Sequence, residues 1–216
     1  MRIPRFLALL SLATLVLCAA SFADSSFDFS TNNPQDINAP TVTLNAIGGT
    51  ITLWGFSKDH MGMTTFPTNL WFKNDSAPEN GIGLADNPSG RNEIVGTNFV
   101  QFTDKGLTGV SIGSVQTGEG WALYESTTLG TLGTLIASGV GDANSEASQS
   151  FAGIVGPGFG FVSLKGTGTN TDGTIGDVLL ADATFAPAVP EPSTPAFILT
   201  LGLVGLFEIS RRKLMA

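Results

Sequence analysis

The chain has 216 residues, with 18 Asp and Glu against 10 Lys and Arg, a formal charge of −8 at pH 7 and a pI near 4.4. Residues 24–190 are more acidic still, holding 16 acidic and 5 basic side chains for a balance of −11. A nucleic-acid surface needs clustered cations, so this composition argues against nucleic acid as a partner and for an acidic, solvated exterior.

The amino terminus reads as a secretory signal. Met1 to Arg5 is a basic leader, and Phe6 to Leu17 is an apolar run of the usual length. Small residues at Ser21 and Ala23 then fit signal peptidase, which predicts cleavage after Ala23 and export by the general secretion machinery. A lipoprotein reading of Cys18 is poorer, because bulky Leu17 stands where a small residue is needed. Since Cys18 lies in the segment to be removed, the exported chain is expected to hold together without disulfides.

Residues 24–186 are rich in Gly, Thr, Ser and Asn and show no helical periodicity of useful length. Thr41–Leu44 and Thr50–Leu53 alternate polar and apolar residues, as half-buried strands do. Further strands are predicted at Leu70–Lys73, Asn98–Phe102, Val110–Gln116, Trp121–Glu125, Thr134–Ser138 and Phe159–Lys165. A last one is predicted over Asp177–Phe185, with Leu179, Ala181, Ala183 and Phe185 on one face and Asp182 and Thr184 on the other. Gly, Asn and Asp clusters such as Asp104-Lys105-Gly106 separate them. The fold class predicted is all-β: a single β-sandwich or jelly-roll-like ectodomain, flanked by an amino-terminal signal helix and a carboxy-terminal transmembrane helix.

Chemistry-bearing residues are sparse in this domain. Gly109-Val110-Ser111-Ile112-Gly113 matches the pattern of a hydrolase nucleophile, but that chemistry needs a strand-to-helix turn and a His base. Strand character continues past Gly113, and the one histidine is His60, so no catalytic residue is assigned and no enzyme activity is expected. Zinc is disfavoured for the same lack of ligands, and no cofactor is required. Calcium has some hard-oxygen candidates: Asn170, Asp172 and Asp177 in one Gly/Thr-rich stretch, and Asp75, Glu79, Asp86 and Glu93 in another. Asn-x-Asp-Gly is more often an ordinary turn. Trp54, Trp71 and Trp121, with Tyr124, offer either a sugar-stacking platform or core packing, and core packing is the simpler reading. The paired threonines are similar to the arrays of ice binders, yet they also fit the solvent face of ordinary strands.

The chain ends in Val189-Pro190-Glu191-Pro192-Ser193-Thr194, an apolar segment from Pro195 to Ser210, and Arg211-Arg212-Lys213. The prolines hold an extended linker, Thr194 caps a helix and Pro195 suits its first position. As a helix the segment spans about 24 Å against a hydrocarbon core of about 30 Å, a marginal crossing that Glu208 weakens further. Arg211, Arg212 and Lys213 form a stop-transfer cluster that stays cytoplasmic, which puts the ectodomain outside.

These three parts, in this order, resemble the PEP-CTERM sorting signal, also labelled the ice-binding protein C-terminal domain. The resemblance covers residues 187–216. It implies an exosortase-type enzyme that recognises Pro190, Glu191 and Pro192 and removes a transient membrane anchor. It further implies a Gram-negative exporter with an exopolysaccharide matrix at its cell surface. Gly81–Leu84 leading to Asn92-Glu93-Ile94, and Gly118–Tyr124 leading to Gly130–Leu135, are similar, more loosely, to stretches of PEP-CTERM ectodomains. From these features the chain is expected to be a non-enzymatic surface or matrix protein, with a carbohydrate-binding module in exopolysaccharide, calcium-assisted or not, as the alternative.

Overall fold

A computed structural model describes residues 25–31, 39–46, 49–58, 65–75, 78–85, 92–104, 106–141, 145–150, 160–169 and 176–186. All of them lie within one compact unit, Ala23–Pro187. They are all-β, with two antiparallel sheets and no helix.

Sheet I holds β1 (Ser25–Asp28), β5 (Leu70–Asn74), β6 (Asn80–Leu84), β7 (Ile94–Val95), β9 (Leu107–Val115), β12 (Ser145–Ser150) and β14 (Asp177–Phe185). Its order is β12-β9-β14-β6-β5, and β1 and β7 also pair with β14. Sheet II holds β2 (Thr41–Ala46), β3 (Gly49–Lys58), β4 (Thr65–Thr68), β8 (Phe99–Thr103), β10 (Glu119–Ser126), β11 (Thr134–Val140) and β13 (Phe161–Gly168). Its order is β11-β10-β13-β8-β3-β2, with β4 beside β3.

Period-two alternation decides what each sheet buries. In β3, Ile51 and Leu53 face inward while Thr50 and Thr52 face solvent; Thr43 and Thr52, opposite one another, hydrogen-bond through their hydroxyls at 3.0 Å. Leu53, Phe102 and Leu164 of sheet II join Leu70, Ile112 and Phe185 of sheet I in one hydrophobic cluster. Between β8 and β9 the Asp104 carboxylate accepts the amides of Gly106 and Leu107, and Gly106 has a left-handed φ of 87°.

The nine strands expected from alternation are all present, but the facing of β14 departs from expectation. Val178 and Leu180, not Leu179 and Ala181, join Ala183 and Phe185 in the core cluster. The cause is a register shift between Leu180 and Asp182, which pair with the adjacent residues Ile112 and Ser111 of β9. This bulge inserts one residue and reverses the parity of everything before it.

Five strands lacked a readable pattern. In β6, glycine replaces every second side chain, because the outer face there is crossed by backbone: a Cβ on Gly83 would lie 2.0 Å from the Asn92 carbonyl oxygen. In β4 the proline Pro67 is accommodated on a strand that, among the described residues, pairs only with β3. β1 and β7 are too short, and β12 (Ser-Glu-Ala-Ser-Gln-Ser) too polar, to alternate.

Trp121 packs inward on Gly139, where a Cβ would lie 2.7 Å from the indole. Gly139→Ala is therefore expected to lower unfolding free energy by about 1–3 kcal/mol through overpacking. A denaturant midpoint unchanged by the substitution would contradict this packing.

Candidate functional site

The most unusual chemistry among the described residues is a buried polar cluster on the face of sheet I away from the core. It is assembled from five separate stretches of chain. In β5, Leu70 and Phe72 point inward, so Lys73 points out, and its register partner is Gly81, which has no side chain to obstruct it. Glu79 lies in the connection between β5 and β6. Glu93 follows Asn92, a non-glycine residue at φ 60°, and directly precedes β7. β7 pairs with the start of β14, where Val95 opposes Asp177. Ser114, near the end of β9, is also left-handed at φ 59°, and its amide donates to the Pro78 carbonyl at 3.1 Å. Two non-glycine residues at positive φ within one cluster are a local cost that the surrounding contacts must offset.

The Lys73 ammonium donates to Glu79 Oε2 and to Glu93 Oε1, with Asp75 Oδ2 more distant at 3.8 Å. The Ser114 hydroxyl lies 2.9 Å from both Glu79 Oε2 and Glu93 Oε1. Glu93 and Asp177 are only 2 % and 1 % exposed. Burial pushes the Glu93 carboxyl up to about 8, aided by the hydrogen bond and charge of Asp177 and opposed by Lys73. Burial would also raise Glu79, but hydrogen bonds from Lys73 and Ser114 outweigh it and hold Glu79 below its ordinary value. Lys73 is raised: burial favours its neutral form, yet Glu79 and Glu93 more than compensate. Ser114 has one proton to offer two carboxyls, which fits a site where Glu93 carries a proton of its own.

Two groups of residues considered for calcium are brought together here: Glu79 and Glu93 from one, Asp177 from the other. The position between Glu79 and Glu93, however, is taken by the Lys73 ammonium, an internal cation. Asp75 is mostly exposed, and Asn170, Asp172 and Asp86 lie outside the described residues. Lys73 and Ser114 were not legible as site residues. The available signal was scarcity: an acidic chain has few cations, and one placed at an outward position of an otherwise apolar strand calls for carboxylate partners.

The three tryptophans do not form one platform. Trp121 is in the core, Trp71 is half-buried on the outer face of sheet I, and Trp54 is half-buried on the outer face of sheet II. Trp54 meets Phe161 edge-to-face at 5.6 Å. In cross-strand register it opens a row that runs Trp54, Gln101, Ser163, Tyr124. Gln101, fully buried, fastens the β10–β11 connection over this row. Its amide donates to the Thr131 carbonyl and the Ser163 hydroxyl, and its oxygen accepts the Gly130 amide at 2.7 Å. Ser111 sits inside β9, opposite Asp182, and the strand runs on to Val115 with no helix after it. His60, the cleavage position Ala23, Pro190, Glu191, Pro192 and the basic end Arg211, Arg212 and Lys213 lie outside the described residues, as do both terminal segments.

No family model, curated protein or solved structure matches this chain. Among the described residues no helix is long and apolar enough to cross a membrane.

The sign of the pH dependence follows from Glu93. With its folded value about 8 against an ordinary 4.5, the folded state holds an extra proton between these limits, so stability falls as pH rises across that window. Glu93→Gln is expected to flatten this slope, measured as melting temperature against pH. Lys73→Met, which strands the carboxylates, is expected to cost about 3–5 kcal/mol. A wild-type profile flat between these pH values would refute the protonated Glu93.

Proposed function

We infer that the chain is a non-enzymatic exported protein, held at the cell surface or in the extracellular matrix of a Gram-negative bacterium and sorted there through a PEP-CTERM tail. The observation that carries this reading is the pairing of two independent terminal signals. An amino-terminal export signal ending at Ala23 precedes the β domain, and Val189–Thr194 with an apolar stretch and Arg211-Arg212-Lys213 follows it. On this reading signal peptidase and an exosortase-type enzyme are the processing partners, Pro190, Glu191 and Pro192 are read by the latter, and the membrane is a transient anchor. The 24–186 domain is a jelly-roll-like β-sandwich, a proposal supported by the single core shared by two antiparallel sheets. The Lys73 cluster is assigned a structural role, because its cation and carboxylates satisfy one another.

Deleting residues 189–216 tests the sorting role. The expected outcome is an ectodomain that is exported but no longer retained in the membrane fraction before release; unchanged fractionation would refute the tail as an address.

A second reading, carbohydrate binding in exopolysaccharide, is favoured by the Trp54–Phe161 pair and Tyr124 on one outer face. It needs neither Trp121 nor calcium. Retention of the chain on an exopolysaccharide column is expected to be lost in Trp54→Ala and kept in Trp71→Ala. Equal retention of the two variants would remove this reading.

A further inference from the structure

The polar cluster on sheet I brings together the groups that amide formation needs. Lys73 Nζ is an amine in contact with Glu79 Oε2 and Glu93 Oε1. Glu93 also hydrogen-bonds Glu79. Ser114 Oγ lies 3.0 and 2.9 Å from the two carboxyl oxygens of Glu79, and 2.9 Å from Glu93 Oε1. One carboxyl, that of Glu79, is therefore met at once by a nitrogen nucleophile, an acid and a hydroxyl. Its backbone is held in place as well, because the Pro78 carbonyl beside it accepts the Ser114 amide at 3.1 Å.

An exposed lysine and glutamate do not condense in water, because the amine is protonated and a carboxylate is a poor electrophile. Burial and a second acid change both conditions here. The side chains of Lys73 and Glu79 are 13 % and 24 % exposed, and Glu93 is 2 % exposed. Glu93, pushed up to about 8, carries a proton at neutral pH and touches both reactants. It can take a proton from the ammonium while giving its own to Glu79. The relay leaves a neutral amine facing a neutral carboxylic acid.

We propose that Lys73 and Glu79 condense into an intramolecular amide that braces β5 to the β5–β6 connection, with Glu93 as the proton relay. Lys73 Nζ attacks Glu79 Cδ, and the Ser114 hydroxyl donates to the oxygen on which charge develops. The N–C bond forms and one C–O bond of Glu79 breaks. That oxygen leaves as water, carrying the proton relayed through Glu93 and a second one from the nitrogen. Ammonium and carboxylate thus become amide and water, Glu93 ends as it began, and no oxidant or co-reactant is consumed. Two effects drive the reaction forward. Well-oriented groups react at effective concentrations of about 10⁵ M or more, far above that of water. A neutral amide also escapes the desolvation cost of a buried ion pair. The ion-paired cluster is the reactant, and since its charged form predominates, the bond forms once and slowly after folding. Residues 24–186 contain no cysteine, so this bond supplies a covalent brace without a disulfide.

The test is mass spectrometry of the full chain, denatured after purification, with peptide mapping to fix its termini. The unmodified chain is expected to weigh less than its sequence by one water, and a protease digest is expected to contain a branched peptide joining Lys73 to Glu79. Lys73→Arg keeps the positive charge but offers no amine, and Glu93→Gln keeps the shape but removes the relay. Both are expected to show their full mass. A folded unmodified chain at full mass overturns the proposal. So does a water lost at any site other than the Lys73–Glu79 pair, or one still lost in Lys73→Arg. Loss of water undiminished in folded Glu93→Gln overturns the relay. Melting curves of the two variants show that each is folded, which separates failure of the reaction from failure of the fold.

Discussion

The ammonium of Lys73 ties together stretches of the chain that lie far apart in sequence. It stands on β5, yet the carboxyls it holds come from the β5–β6 connection and from the residue before β7, and the hydroxyl between them comes from β9. Through Glu93 the contact reaches Asp177, the first residue of β14. Stretches far apart in sequence are thereby gathered on one end of sheet I. Without the cation, the same folding would bury the acidic groups of Glu79, Glu93 and Asp177 beside one another with no opposite charge among them.

Close backbone approach is the second condition on which the arrangement depends. The segment at Asn92 crosses directly over Gly83, and the Pro78 carbonyl lies where a Cβ of Gly113 would be, 2.6 Å away. These glycines have the same logic as the charge cluster: both let polar chain lie against the outer face of a sheet whose inner face is already committed to the core. Leu179 and Ala181 are buried against that covering although they point away from the core. The Leu180/Asp182 bulge decides which residues these are, turning Val178 and Leu180 toward the core and Leu179 away from it.

Alternation made β2, β3, β5 and the central strands legible, because one face of each is apolar and the other is not. It failed where the second face is buried too. The run Val178-Leu179-Leu180-Ala181 offers no polar residue to mark a bulge, and β6 offers glycines instead of side chains. For the site, acidic residues were visible as calcium candidates one stretch at a time, but their convergence was not, since it rests on pairings between β7 and β14 and between β9 and β14. Gln101 was hidden for the same reason. Nothing local in Phe-Val-Gln-Phe says that a connection thirty residues later will close over its amide.

The placement of β14 bears on how the domain carries tension. Its last residue, Phe185, opposes Ser25 of β1 on one side and Leu107 of β9 on the other, and the described chain leaves immediately beyond it at Ala186. A pull on the chain at that point, when directed along the strand, is in line with two antiparallel ladders. Their hydrogen bonds then resist together in shear and do not peel open one at a time. A tether attached beyond Phe185 is therefore loaded onto the best-supported strand of sheet I.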